Sequence, residues 1–293
     1  MRVIGPIIAA MDDSAHSAIG YELLDAGVRR RLERFGGLTI DRPAPGADGF
    51  RLAPEAWADS DLRFDVGPGW SGRWWPADPW PIEVAGLTME LRPTSSGGLG
   101  LYPEHVANLA WLEQQVAARV AEAATAAPPQ VLNLFAHTGL ATLVLARAGA
   151  AVAHVDGAKA AVAWARHNAE LSSLADRPIR WLVDDATSFA AREARRDRRY
   201  DGIVLDPPAF GRVGGHEWRL ETDLPDLLAA CREIAAPGAF VLLTAHSESS
   251  DAPLLARRLA LAFPKRPIET AALSLTAPSG AQLNLSWAAR IEG

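Results

Sequence analysis

An acid, two prolines and an aromatic residue follow an apolar strand in Val204-Leu205-Asp206-Pro207-Pro208-Ala209-Phe210-Gly211-Arg212. Neither proline can donate to a sheet ladder or sit inside a helix. The chain must therefore leave the strand as a stiff loop. The carboxyl end of a buried strand is where open α/β sheets place their chemistry. In such a loop the Asp206 carboxylate and the backbone carbonyls can accept hydrogen bonds from an amine, and Phe210 offers a face for a planar base. Asp206, Pro207, Pro208 and Phe210 are thus the candidate catalytic set. The competing explanation is an ordinary turn, since Asp-Pro is common after strands.

Three earlier strand ends carry related signals. The first is Asn133-Leu134-Phe135-Ala136-His137-Thr138-Gly139, where Gly139 opens a helix. A residue without a side chain there lets a ligand approach the backbone, with helix-terminus amides behind it. The turn holds a single glycine, so the Gly-x-Gly-x-x-Gly pattern for a pyrophosphate is missing. Asp156 ends the second strand, 17 positions after Gly139, a distance that suits a carboxylate on two ribose hydroxyls. Asp184-Asp185-Ala186 ends the third, and Asp185 can accept from an adenine amino group. Asp156 and Asp185 could equally cap the helices that follow. Taken jointly, the ends describe a ligand with ribose and adenine but no phosphates, which points to S-adenosylmethionine. The cofactor set is Asn133, Phe135, His137, Thr138, Gly139, Asp156, Asp185, Ala186 and Asp206.

The elements that must position these residues alternate from residue 130 onward. Strands are predicted at Val131 to Phe135, Ala151 to Val155, Ile179 to Val183, Gly202 to Leu205 and Ala239 to Thr244. Between and after them lie helices at Leu140 to Ala148, Lys159 to Leu171, Ser188 to Arg196, Leu220 to Ala235 and Pro253 to Ala262. Repeated β-α units predict a parallel sheet covered on both faces. Thr270 to Leu275 and Gln282 to Ala288, around Pro278-Ser279-Gly280, read as a closing antiparallel hairpin. The predicted fold is therefore α/β, a Rossmann-like sheet ending in an antiparallel hairpin.

Residues 1–92 read as a separate β-rich domain and 93–293 as the catalytic one, with Thr94 to Gly100 as a glycine-serine linker. Tyr21 to Phe35 has helical spacing, and Gly36-Gly37 would end that helix. Leu38 to Arg42 and Arg63 to Val66 read as strands, and Trp80 to Val84 with Leu87 to Leu91 as a hairpin. Between them, Gly67 to Pro76 interleaves tryptophans and arginines with glycines. Such a segment can stack on bases, or its tryptophans can cap a small β core. Pro103 suits a helix start, before an apolar face formed by Val106, Leu109, Leu112 and Val116.

Bulk properties narrow the class. Hydrophobic residues make up 49% of the 293 and charged ones 22%, a composition that fits a soluble globular protein. Met11 closes a short apolar run before Asp12 and Asp13, which argues against a signal peptide. No apolar run reaches the ~18 residues of a membrane span. The single cysteine, Cys231, excludes an internal disulfide and a multi-cysteine metal site. No metal site, no membrane and a cytoplasmic location are expected, with monomer or homodimer left open. The net charge of -6 speaks against a chain-wide nucleic-acid footprint but leaves room for a local basic face.

The blocks Leu132 to Thr142, Val155-Asp156, Trp181 to Ala186 and Leu205 to Arg212 resemble the motifs of class I S-adenosylmethionine-dependent methyltransferases. Within that class the chain is similar to the group containing the large-subunit ribosomal RNA methyltransferases. There the blocks read Asn-Leu-Phe-Ala-Tyr-Thr-Gly, His-Val-Asp, Val-Asp-Asp and Asp-Pro-Pro-Lys-Phe-Gly-Arg. His137 stands here for the usual tyrosine and Ala209 for the usual lysine. The stretch Gly100-Leu101-Tyr102-Pro103-Glu104-His105 resembles an element that lies beside the cofactor in that group, which adds Tyr102 to the cofactor set. Glu217-Trp218-Arg219-Leu220 and Asp223-Leu224-Pro225 match as well. The resemblance implies methyl transfer from S-adenosylmethionine, with RNA, ribosomal in that group, as the substrate partner.

Methyl transfer is an in-line displacement in which the protein positions the acceptor and stabilises charge. Methylation at cytosine carbon-5 would need a thiolate. The related cytosine-5 enzymes carry it just after the fifth strand. Here that position reads Leu243-Thr244-Ala245-His246-Ser247-Glu248-Ser249. Cys231, in the preceding helix, reads as core. The expected acceptor is thus a nitrogen. Phe210, Arg212 and His246 are the candidate substrate contacts, with Arg212 on a phosphate or other anion. His246 serves either as a general base or as a hydrogen-bonded strand-end residue. His216 follows Gly211 to Gly215, a segment able to close over substrate or to stay an exposed loop. A basic face of Arg29, Arg30, Arg31, Arg34 and Arg73 would favour RNA; a closed apolar pocket would favour a small molecule.

Overall fold

A computed structural model describes residues 20–73, 75, 79–122, 127–213, 216–245 and 251–293. Its contacts divide the chain into two compact units. One holds Asn108–Ala272 and Ser286–Gly293; the other runs through residue 107 and takes in Leu273–Leu285.

The N-terminal unit contains a five-stranded sheet in the order β1-β2-β3-β4-β5 and a separate hairpin, β6-β7. These strands are β1 (Tyr21–Gly27), β2 (Arg30–Phe35), β3 (Leu38–Pro43), β4 (Leu62–Asp65), β5 (Gly69–Gly72), β6 (Trp80–Val84) and β7 (Leu87–Leu91). The helix expected over Tyr21 to Phe35 is instead the β1-β2 hairpin. A period of two fits the buried positions as well: Tyr21 and Leu23 in β1 face Phe35 and Glu33 in β2, all four buried, while Leu32 is buried on the other face. The chain reverses at Val28 and Arg29, both at positive φ. A β-branched residue rarely adopts that conformation. Backbone bonds from Val28 to Gly49 and from Arg29 to Ala47, each 2.7 Å, hold it there. Thr94 to Gly100, read as a linker, is a packed turn. Gly97 has positive φ, and a Cβ on it would lie 2.4 Å from the Phe64 ring.

The tryptophans of this unit support the core-capping explanation. The Trp57 indole donates to Asp25 at 2.8 Å, and Trp70 donates to the Thr94 carbonyl at 2.7 Å. Trp80 meets Phe35 edge-on. Trp75 is exposed, and Trp74 lies outside the described residues.

The second unit carries the alternating elements. They are α1 (Val106–Glu122), β8 (Gln130–Leu134), α2 (Leu140–Arg147), β9 (Ala151–Asp156), α3 (Lys159–Leu171), β10 (Ile179–Val183), α4 (Ala186–Arg195) and β11 (Tyr200–Leu205). After β12 (Phe210–Val213) and β13 (His216–Arg219) come α5 (Leu220–Ile234), β14 (Ala235–Ala245), α6 (Ala252–Ala262), and β15 (Glu269–Thr276) and β16 (Gln282–Ile291), of which residues 273–276 and 282–285 are counted with the N-terminal unit. The main sheet has the order β10-β9-β8-β11-β14-β16-β15. Its first five strands are parallel, and β16 lies antiparallel to β14. The predicted Rossmann-like sheet with its closing hairpin is therefore present. Strand order reverses at β8 and β11, which is where such sheets bind ligands.

Apolar runs in β8, β9, β11 and β14 are buried on both faces, as a covered parallel sheet requires. Gly202 in β11 is needed for close approach: a Cβ there would lie 2.1 Å from the Phe240 ring. No described helix is long and apolar enough to cross a membrane.

Candidate active site

The parallel register brings the strand ends to one edge. Leu134 pairs with Val155, Val183 with Asp156, Leu205 with Leu134 and Leu205 with Leu243. The ends of β8, β9, β10, β11 and β14 thus lie together at one edge of the sheet.

The loop after β8 is strained and tightly held. Phe135 and His137 sit at φ values of 54° and 48°, and Gly139 at 93°. Left-handed backbone costs a non-glycine residue on the order of 1 kcal/mol. Fixed contacts offset that cost. The Ala136 amide donates to Val155 at 3.1 Å and the Gly139 amide to Ala136 at 3.0 Å. The His137 amide donates to Asp156 Oδ2 at 2.8 Å, and Asn168 donates to the Thr138 carbonyl at 2.9 Å. Gly139 is needed for two reasons: its φ, and a Cβ there would lie 3.0 Å from the Ala165 Cβ. Asn133 is buried, and its amide donates to Thr142 Oγ1 at 2.9 Å. Thr142 in turn bonds His154 Nδ1 at 2.9 Å. Burial, with a smaller contribution from His137, pushes the His154 imidazole down to about 3, so it stays neutral. Asn133 therefore ties β8 to α2 beneath the loop.

Asp156 is half-buried at the end of β9, with Oδ2 on the His137 amide and Oδ1 on the Ala158 amide at 2.8 Å. A carboxylate has about four acceptor positions, so capacity remains for two hydroxyls. Asp184 and Asp185 differ in role. Asp184 is ion-paired with Arg192. Asp185 caps α4, with Oδ1 accepting from the Ser188 amide at 2.8 Å, a contact worth ~1 kcal/mol. Its Oδ2 accepts no hydrogen bond among the described residues. The capping explanation thus holds for Asp185 without exhausting its acceptors. Ala186 is buried at the start of α4.

Asp206 leaves β11 half-buried, its Oδ1 accepting from the Thr244 hydroxyl at 2.6 Å. Pro207 is buried and Pro208 exposed. Phe210 is 76% exposed, a large apolar face with no core to fill. The segment after it, read as a flexible closing loop, is the β12-β13 ribbon, with Phe210 opposite Arg219 and Arg212 opposite Glu217. Its physical cause is Trp218. That side chain is 3% exposed, where an unstructured loop would leave it in water. Only the backbone of Arg212 is described, and His246 lies outside the described residues.

Tyr102 belongs to the N-terminal unit, where it is 44% exposed and its ring meets His105 edge-on. Cys231 is fully buried in α5, and burial pushes its thiol up to about 12. Among the described residues, no group of three or more His, Cys, Asp or Glu is placed to hold a metal ion.

No family model matches the chain. A solved S-adenosylmethionine-dependent methyltransferase from Agrobacterium tumefaciens aligns with a TM-score of 0.86 at 33% identity, over 93% of this chain and 90% of that one. The chain belongs to the S-adenosylmethionine-dependent methyltransferases. The SMU.776 protein, solved with S-adenosylhomocysteine, shares the fold at a TM-score of 0.75 and 16% identity. Among curated proteins, ribosomal RNA large subunit methyltransferase K/L of Syntrophotalea carbinolica is 32% identical over 116 residues, 39% of this chain and 16% of its own length. Ribosomal RNA large subunit methyltransferase I of Shewanella amazonensis is 32% identical over 136 residues, 46% of this chain and 32% of its own. The chain therefore spans less than a third of the length of either relative.

The residues of this methyltransferase fit its cofactor. Carboxylates end β9 and cap α4, each with acceptor positions left for hydroxyls or an amino group. Sequence reasoning missed Trp218 as a site residue. Its indole N–H donates to the Pro208 carbonyl at 2.8 Å, and its ring lies 5.1 Å from that of Phe135. The signal was present in Glu217-Trp218-Arg219-Leu220, which matched the group without suggesting a role. Thr244 was missed because its hydroxyl acts across a strand pair, 38 residues from Asp206.

Proposed function

We propose that this methyltransferase acts on a nitrogen of a nucleobase in RNA, ribosomal RNA being the first candidate, without a cysteine nucleophile. The observation that carries the reading is the loop after β11. A carboxylate held by Thr244 at 2.6 Å stands before two prolines and a 76% exposed phenyl ring. S-adenosylmethionine supplies a methyl group already activated by its sulfonium. The chain has to orient the acceptor and take up its proton. Phe210 stacks on the base, and Asp206 accepts from the acceptor nitrogen. Asp156 binds the ribose hydroxyls and Asp185 Oδ2 the adenine amino group. Asn133, Phe135, His137, Thr138, Gly139 and Ala186 shape the cradle around them. Arg212 and His246 join the acceptor side by their place in the sequence. The fully buried Cys231 has neither the access nor the ionisation a nucleophile needs.

The relatives named as ribosomal RNA large subunit methyltransferases support RNA as the carrier of the base. A small-molecule acceptor is the second reading, and one observation favours it. The five arginines expected to form a basic face all pair with carboxylates: Arg29 with Asp48, Arg30 with Asp41 and Asp65, Arg31 with Glu33, Arg34 with Glu22 and Arg73 with Asp59.

The deciding experiment offers purified protein and methyl-labelled S-adenosylmethionine either unmodified ribosomal RNA or a small-molecule extract, followed by mass spectrometry of the products. An N-methylated base is the expected product. Label found only in a small-molecule extract would transfer the assignment to the second reading.

A further inference from the structure

Trp218 touches two loops that the sequence presents as independent. It stands in β13 opposite Gly211 of β12. A Cβ on Gly211 would lie 3.6 Å from Pro208 Cγ and 3.7 Å from Trp218 Cβ, so the glycine sits against both residues. The indole N–H reaches back to the Pro208 carbonyl at 2.8 Å. Two positions on, the Leu220 amide donates to the Ala209 carbonyl at 3.0 Å. Successive carbonyls of the acceptor loop are thereby fixed from one short segment. The indole ring also meets that of Phe135, at 5.1 Å between ring centres and 55° between planes. Phe135 is the residue at which the cofactor loop enters its left-handed path. Its ring packs against the buried cluster that contains Trp218, Leu220 and Leu224.

We infer that Trp218 is a positioning residue that couples the cofactor loop to the acceptor loop, its ring setting Phe135 and its N–H setting Pro208. The inference builds on the proposed acceptor role of the Asp206 to Phe210 loop. Two contacts of different chemistry meet in one side chain, so they can be separated. A phenyl ring at 218 keeps the aromatic face toward Phe135 and removes the donor to Pro208; leucine removes both. A ligand that orders the Phe135 loop then orders the Pro208 loop only while the indole joins them, because coupling needs a physical contact that both sites bias.

The test needs no acceptor, so it stands apart from the identity of the substrate. Hydrogen exchange is followed by mass spectrometry on the full chain, free and with saturating S-adenosylhomocysteine, and affinity is measured by calorimetry. In the wild type, S-adenosylhomocysteine should slow exchange at least fivefold both in peptides covering 135–144 and in those covering 209–213. Trp218→Phe should bind within twofold of wild type and keep the first protection while losing the second. Trp218→Leu should lose the second and bind at least fivefold more weakly. Phe135→Leu is the reciprocal variant: it leaves the Trp218 to Pro208 bond in place, weakens binding and uncouples the 209–213 segment. Should the leucine variant fail to fold, the phenylalanine and Phe135→Leu variants decide. Protection of both loops retained in Trp218→Phe, or a wild type in which the cofactor product protects only 135–144, would overturn the coupling and leave Trp218 as core filler.

Discussion

The N-terminal unit and the sheet edge of the second unit use charge in opposite ways. In the N-terminal unit, carboxylates are buried and consumed. Glu33 is fully buried and accepts from Arg42 at 2.7 and 2.9 Å and from Tyr21 at 3.2 Å, with Arg31 at 3.2 Å. Asp25, also fully buried, gathers the Trp57 indole, the Leu52 and Ala53 amides and the Ser279 hydroxyl. In the second unit Glu193 is buried and consumed in the same way, by Tyr200 at 2.7 Å and Arg196 at 3.2 Å, but the acids at the sheet edge stand half-buried at the strand ends, with acceptor positions still open on Asp156 and Asp185. A buried carboxylate surrounded by donors organises a fold. A half-buried one at a strand end can take a ligand. The same residue type therefore carries opposite meaning in the two places, and mutation separates them.

The largest effect is expected from Glu33→Ala. It strands the Arg42 and Arg31 cations in a buried site, and breaking a buried pair costs ~3–5 kcal/mol. Thermal unfolding should shift downward, with S-adenosylmethionine affinity per folded molecule unchanged. A stable variant would mean that the ionic centre of the N-terminal unit is dispensable. Next, Asp206→Ala should reduce methyl transfer by roughly a hundredfold, within the usual range for acid-base groups, with the thermal midpoint preserved. Retained turnover removes Asp206 from the acceptor site. Asp156→Ala should weaken S-adenosylmethionine binding about tenfold, or ~1.4 kcal/mol, by calorimetry; an unchanged constant would make Asp156 only a clamp on His137.

Smaller effects sharpen the contrast further. Burial alone would raise the Asp25 carboxyl, but the Trp57, Ala53, Ser279 and Leu52 donors outweigh it and hold it below the ordinary value. A lowered folded-state pKa stabilises fully above the unfolded value of ~3.9 and is lost as pH falls through the folded one. Acid unfolding should begin below about pH 4, and Asp25→Asn should flatten that limb. A stability curve identical to wild type over that range would deny Asp25 its role. Last, Cys231→Ala should keep transfer within twofold, since its thiol is buried and protonated; an inactive, folded variant would restore a covalent mechanism.

Much of the catalytic unit was legible because its signals are local. An apolar run closed by Asp156, or by Asp206 and two prolines, states both the strand and its end within a few residues. The expected strands and helices of this unit are present with shifted boundaries, where neighbouring turns compete; only the β12-β13 ribbon was not expected. The N-terminal unit was harder to read. Tyr21 to Phe35 satisfies both helical and strand periods, and no glycine occupies the Val28-Arg29 reversal to mark it. Bonds to Ala47 and Gly49 decide the conformation, and they come from another part of the chain. The arginine run posed a similar problem. Arg30 meets Asp65 across 35 positions, a partner that no window around Arg30 contains.

The Asp-Pro-Pro loop, the single glycine of the Asn133 to Gly139 turn and the acids closing the strands were determined by sequence alone. Proline, glycine and a strand-ending acid impose their geometry within their own few bonds. Tertiary structure decided what those groups touch. It set Thr244 on Asp206, spent five arginines on carboxylates and placed Trp218 between Phe135 and Pro208. Such contacts join residues far apart in the chain, and burial of an indole or pairing of a charge becomes favourable only once the sheet has brought both partners together.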